Sequence, residues 1–153
     1  MRALVVDDER LARSELRRLL EAHPEVEVVG EARDADEGRR LVEELNPDLL
    51  FLDVQMPGKT GFDLLTELGE VPRVIFTTAY DEYALKAFEV SALDYLVKPI
   101  APARLEAALR KLPAVVKPRK AMEQVFVKDG DRCWFVRVAE IVALESEGNY
   151  TRL

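Results

Sequence analysis

Asp7, Asp8, Asp53, Thr78 and Lys98 all fall where short apolar runs end. Ala3-Leu4-Val5-Val6 leads into Asp7-Asp8, and Leu49-Leu50-Phe51-Leu52 into Asp53. Val74-Ile75-Phe76 leads into Thr77-Thr78, and Tyr95-Leu96-Val97 into Lys98. Carboxylates gathered at one spot repel one another unless a cation sits between them. A donor set made only of oxygen suits Mg²⁺ (or Mn²⁺), and no nearby His or Cys favours zinc. A lysine and a hydroxyl beside such a metal make a cradle for phosphoryl oxygens. A carboxylate inside that cradle can act as a nucleophile and become an aspartyl-phosphate. Asp53 is the expected nucleophile because its strand is the most apolar. Asp7 and Asp8 are the expected metal carboxylates, and Thr78 and Lys98 the expected phosphoryl contacts. Glu9 is either a third metal group or an acid that starts a helix for dipole reasons.

The elements that must position these groups alternate. Strands are expected at 3–6, 26–30, 49–53, 73–78 and 94–97, and helices at 10–22, 35–45, 61–68, 81–90 and 101–112. On the first helix Leu11, Ala12, Leu16, Leu19 and Leu20 recur at helical spacing, with Arg13, Glu15, Arg17 and Arg18 facing outward. Asp34 and Asp81 are expected N-caps, and Asn46-Pro47 a helix stop. Five strand–helix repeats argue an α/β domain with a parallel sheet covered on both faces. In such sheets ligands gather at the carboxyl ends of the strands, where these polar groups fall.

Composition narrows the classes. The chain has 153 residues, a hydrophobic share of 48% and a net charge of −7. The apolar share supports a packed core, and the charge is a poor match for nucleic acid or an anionic membrane. The lone cysteine, Cys133, excludes an internal disulfide and reads as a strand residue without a redox role. Apolar runs fall short of the roughly 18 residues a membrane span needs, and the N-terminus reads as a strand rather than a signal peptide. A cytoplasmic protein without membrane contact is the expectation.

The first 112 residues resemble a receiver domain of two-component response regulators. The resemblance rests on Asp7-Asp8, on Asp53 followed by Met56-Pro57 and Gly61, on Thr78-Ala79, and on Tyr95 with Lys98-Pro99. It implies a flavodoxin-like, doubly wound five-stranded sheet in the order 2-1-3-4-5. It implies that Asp53 accepts phosphate from a sensor histidine kinase. Asp8 would bind Mg²⁺ directly, Asp7 through water and Gln55 through its backbone carbonyl. Thr78 and Lys98 would contact the phosphoryl group, Tyr95 would be the switch aromatic, and Lys98-Pro99 would be cis. Such a protein is not an enzyme beyond its own phosphorylation and dephosphorylation. Phosphorylation would draw Thr78 toward Asp53 and let Tyr95 turn inward. A homodimer would then form on the face of the 81–90 helix, the fifth strand and the last helix. Candidates on that face are Tyr83, Lys86, Glu89, Asp94, Arg104 and Arg110.

Residues 113–123, with Pro113 and Pro118 and several basic residues, read as an extended linker. Residues 124–128 and 132–137 are strand-like, with Asp129-Gly130 as a hairpin signal between them. Residues 141–144 form a third apolar run, and Glu147-Gly148-Asn149-Tyr150 reads as another turn into a strand. This antiparallel β segment, 124–153, resembles the opening of a LytTR-type DNA-binding domain, on Glu140-Ile141, Glu145 and Asn149-Tyr150. The resemblance covers only the start of that domain. The whole protein is therefore expected to control transcription through DNA, and this fragment is not expected to bind DNA alone. The alternative is a stand-alone phospho-receiver acting through protein–protein contacts. An aspartyl-phosphate phosphatase would want a second Asp where Gln55 stands. A flavodoxin-type nucleotide binder would want a phosphate-cradling loop where Asp7-Asp8-Glu9 stands.

Overall fold

Strands buried on both faces need apolar side chains at successive positions, and Leu49-Leu50-Phe51-Leu52 supplies them. The computed structural model describes residues 1–80, 92–114, 124–137, 145–147 and 150–152. In these residues β1 (Arg2–Val6), β2 (Glu27–Ala32), β3 (Leu49–Asp53), β4 (Arg73–Thr78) and β5 (Asp94–Val97) form one parallel sheet. Its order is β2-β1-β3-β4-β5, as the resemblance implied. Helices α1 (Arg10–Leu20), α2 (Ala35–Leu45), α3 (Gly61–Glu67) and α4 (Pro102–Leu109) cover it. The helix expected at 81–90, with Tyr83, Lys86 and Glu89, lies outside the described residues. So do most of the expected linker and the 141–144 run.

Strand periodicity sorts the core into two layers. Ala3, Val5, Leu49, Phe51, Ile75 and Leu96 pack with Leu16 and Leu20 of α1 and Leu105 of α4. Leu4, Val6, Leu50, Leu52, Val74 and Phe76 pack with Val42 of α2 and Leu64 of α3. Carried one step past the apolar residues, the alternation puts Asp7, Asp53, Thr77 and Lys98 in phase with the α1 layer. Thr78 and Tyr95 are in phase with the α2–α3 layer.

Local signals explain the helix ends. The Asp34 carboxylate accepts from the Glu37 N–H at 2.8 Å, and Asn46 closes α2 in the left-handed region. Thr60 and Asp63 form a reciprocal capping box at the start of α3. Gly61 lets α3 begin against β3, since a Cβ there would lie 2.4 Å from the Asp53 carbonyl oxygen.

Some expectations are corrected. Leu11 is 73% exposed and does not join the core. Arg13, expected to face outward, is half-buried and donates to the Asp7 carbonyl at 2.7 Å and to Glu31 at 3.1 Å. β2 runs to Ala32, past the expected end at Gly30, because Arg13 and Arg17 both engage Glu31 inside the strand. Burial raises the Glu31 pKa, but the hydrogen bonds from Arg17 and Arg13 outweigh it and hold the carboxyl below its usual range.

The C-terminal segment is antiparallel, as expected. β6 (Gln124–Asp129) pairs with β7 (Arg132–Arg137), and β8 (Glu145–Glu147) with β9 (Tyr150–Arg152). The described strands of this segment form two two-stranded ribbons. Gly130 takes φ +58° at the first loop position of β6–β7, where a tight hairpin favours glycine.

Candidate functional site

Asp7 leaves the end of β1, Asp53 ends the neighbouring β3, and Lys98 follows β5, two strands further along the sheet. The long lysine side chain spans that gap. Its Nζ lies 2.7 Å from Asp7 Oδ2 and 3.3 Å from Asp53 Oδ2, with Glu9 Oε1 at 3.5 Å. Asp7, Asp8 and Asp53 each bring one carboxylate oxygen within 4.8 Å of the others. Asp7 and Asp53 are buried and Asp8 is exposed, so the cluster opens to solvent on one side. Glu9 lies outside that cluster; it stands at the N-cap of α1 without a side-chain capping bond, and its carboxylate reaches Lys98.

The electrostatics are unusual for a carboxylate. Burial, then the charge of Asp7, pushes the Asp53 carboxyl up to about 6, although Lys98 and the Gln55 N–H pull it down. Burial lowers the Lys98 pKa, but Asp7 and Asp53 outweigh it and raise the ammonium above its usual range. Among the described residues the cluster offers carboxylate oxygens, and Lys98 is the lysine that reaches them. That donor set fits a hard divalent cation.

The expected residues divide. The site brings together Asp7, Asp8, Asp53 and Lys98. Gln55 enters through its backbone, its N–H donating to Asp53 Oδ1 at 3.2 Å. Thr78 is fully buried, and its hydroxyl accepts from the Tyr80 N–H at 3.2 Å rather than touching Asp53. Tyr95, expected to turn inward on phosphorylation, is already buried at 8% exposure, and its hydroxyl donates to the Tyr80 carbonyl. Lys98-Pro99 is cis, as the resemblance implied. Asp94, a candidate for the dimer face, is buried against Arg104 and Lys111. Burial raises its pKa, but Arg104, the Tyr95 N–H and Lys111 outweigh it and hold the carboxyl down at about 2.

Sequence reasoning missed Arg13 and Tyr80. Arg13 carries a faint signal, a basic residue on the first helical turn after Asp7-Asp8-Glu9. Tyr80 carries none, because it contributes only backbone to the contacts with Thr78 and Tyr95. Beside the acidic cluster lies a cleft of about 370 Å³, lined by Asp7, Ala12, Leu16, Thr77, Lys98 and Ile100 among others.

The described residues include no helix long and apolar enough to cross a membrane. Comparison with known proteins matches residues 3–110 to the response regulator receiver domain. The chain is 47% identical over 125 residues to an uncharacterized response regulatory protein of Vibrio parahaemolyticus, covering 80% of this chain and 52% of that one. It is 49% identical over 114 residues to the transcriptional regulatory protein BtsR of Escherichia coli, covering 73% and 48%. The chain thus spans about half the length of these curated relatives. Among solved structures, the response regulatory domain of protein mrkE from Klebsiella pneumoniae aligns with a TM-score of 0.66 at 34% identity, covering 73% of this chain and 94% of that one. Acidic cluster, spanning lysine, sheet order and sequence agree, and the chain belongs to the response regulator receiver domain family.

Proposed function

We propose that Asp53 accepts a phosphoryl group from a sensor histidine kinase. An Asp53 carboxylate oxygen attacks the phosphorus of the kinase's phosphohistidine, forming a P–O bond. The P–N bond breaks, and the departing imidazole nitrogen takes a proton from water. The carrying observation is that Lys98 Nζ lies within 3.3 Å of Asp53 and 2.7 Å of Asp7. That ammonium is placed to hold a phosphoryl oxygen arriving at Asp53. Mg²⁺ (or Mn²⁺), held by Asp7, Asp8, Asp53 and the Gln55 carbonyl, would neutralise phosphoryl charge when bound. Thr78 is proposed to contact the same phosphoryl group once its hydroxyl leaves the Tyr80 N–H.

The test is incubation with acetyl phosphate and Mg²⁺, followed by intact mass and peptide mapping. One phosphoryl group on Asp53, absent in Asp53→Asn, is expected. Continuous turnover of many phosphate esters without an adduct would point instead to a phosphatase.

The output of the whole protein is proposed to be control of transcription through a LytTR-type DNA-binding domain that begins in the β6–β9 segment. The support is the sequence resemblance of that segment and the name of the Escherichia coli relative. Phosphorylation is further proposed to form a homodimer through the face of β5 and α4, with Arg104 and Arg110 on its rim. Asp94 is withdrawn from that face by its buried pairing. Equal sedimentation of phosphorylated and unmodified protein would reject the dimer.

A further inference from the structure

A two-stranded ribbon has two open faces, so by itself it cannot bury a side chain. Yet Cys133 of β7 is 3% exposed and Phe126 of β6 is 8% exposed. The register Phe126↔Phe135 and Lys128↔Cys133 puts these four residues on one face of the ribbon. Phe126 and Cys133 belong to the same apolar cluster as Leu64, Leu65, Leu68 and Val71 of the receiver, and Phe135 packs against it. Lys128 Nζ lies 3.4 Å from Asp63 Oδ1 on α3. Phe126, Cys133 and Phe135 on that face are therefore turned toward the receiver, and Arg132 on the opposite face is exposed.

α3 also begins beside the phosphoacceptor, with Gly61 packed against the Asp53 carbonyl. The Gly61 N–H donates to the Val54 carbonyl at 2.9 Å, one residue past Asp53. The Asp63 carboxylate that meets Lys128 also takes the Thr60 N–H at 2.9 Å in the capping box. Backbone bonds and one carboxylate thus connect the loop after Asp53 to the ribbon.

We propose that α3 is the docking surface for this chain's own β6–β7 ribbon, and that phosphorylation at Asp53 loosens the dock. The second half rests on reading Asp53 as the phosphoacceptor. A phosphoryl group on Asp53 changes what the Gln55 N–H faces, and the turn through Val54 and Gly61 transmits the shift to the first turn of α3. The Asp63–Lys128 pair is half-exposed and weak, so it sets the ribbon's position while Phe126 and Cys133 supply the apolar contact.

Cys133 is the lone cysteine and reports the dock. The measurement is its alkylation rate with iodoacetamide, an uncharged reagent, on the 153-residue chain. The native chain is expected to react at least about tenfold slower than the urea-unfolded chain. Phe126→Ala should abolish most of that protection. Lys128→Glu, which sets a carboxylate against Asp63, should raise the rate about threefold, whereas Arg132→Glu on the opposite face should leave it unchanged. Native labelling at the unfolded rate, or equal effects of Lys128→Glu and Arg132→Glu, overturns the dock. With an Asp53 adduct verified by intact mass, faster Cys133 labelling supports the loosening, and an unchanged or slower rate overturns it. If no adduct forms, the phosphoacceptor reading fails and the loosening falls with it, while the dock is judged on the variants alone.

Discussion

Thr78 and Tyr95 hold the backbone of one residue from both sides. The Thr78 hydroxyl accepts from the Tyr80 N–H, and the Tyr95 hydroxyl donates to the Tyr80 carbonyl. A threonine pulled toward the phosphoryl group would release the first of these bonds. Any response of Tyr95 would then start from a buried ring held through Tyr80, not from a ring waiting in solvent.

That arrangement predicts coupled energetics. Tyr95→Phe and Thr78→Val should each cost about 1 kcal/mol in urea unfolding, the usual net worth of such a hydrogen bond. Because both anchor Tyr80, the double variant should lose clearly less than the sum. Strict additivity would show that the two bonds act separately.

Metal binding should depend on the exposed member of the acidic cluster. Asp8→Asn removes a charge at the solvent side without disturbing a buried contact. Isothermal titration should show Mg²⁺ affinity reduced at least about tenfold, with the circular dichroism spectrum unchanged. Phosphate uptake from acetyl phosphate should fall with it, and normal uptake by this variant would remove Asp8 from the site.

Asp94 predicts an acid limb in stability. Its folded-state carboxyl is held at about 2, below its unfolded value near 4. A depressed carboxylate contributes stability that is present above the unfolded pKa and is lost as pH falls through the folded one. About 2 kcal/mol should therefore disappear between roughly pH 4 and pH 2. Asp94→Asn should flatten that part of the curve relative to the native chain. An identical acid limb in the variant would assign the loss to other carboxylates.

DNA binding by this chain should be absent or nonselective. Affinity for DNA needs clustered basic residues to release counterions. From residue 119 to 153 the sequence has Arg119, Lys120, Lys128, Arg132, Arg137 and Arg152 against Glu123, Asp129, Asp131, Glu140, Glu145 and Glu147. That stretch is neutral, and the rest of the chain carries the net −7. Fluorescence anisotropy with promoter DNA should give weak binding without sequence preference. Nanomolar, salt-sensitive, selective binding would show that the β segment is a working module.

The sheet and most of the site were legible because each rests on a local pattern. Apolar runs ending in Asp7, Asp53, Thr78 and Lys98 declare both the strand and the edge it points to. Arg13 was misread because helical periodicity places a residue on a face but does not say whether an acid such as Glu31 waits opposite. Leu11 was misread for the converse reason, an apolar side chain on a helix turn that nothing covers. Asp94 read as surface because its Arg104 and Lys111 partners lie a helix away in sequence. The seat of the β6–β7 ribbon on α3 was invisible, since no pattern in either element names the other.

Adjacent residues Thr77 and Thr78 point to opposite sides of the sheet. Asp7, Asp53, Thr77 and Lys98 share the phase of the α1 layer, while Thr78, Tyr95 and the buried face of the ribbon belong with the other layer. The sheet thus holds the acidic cluster and its lysine in phase with one layer and the ribbon's buried face against the other, and adjacent residues of β4 face one side each. Substitutions on the α2–α3 side other than at Thr78 can then alter that layer while leaving Asp7, Asp53 and Lys98 in place. Under this division, the two halves of a signalling protein can diverge at different rates within a single domain.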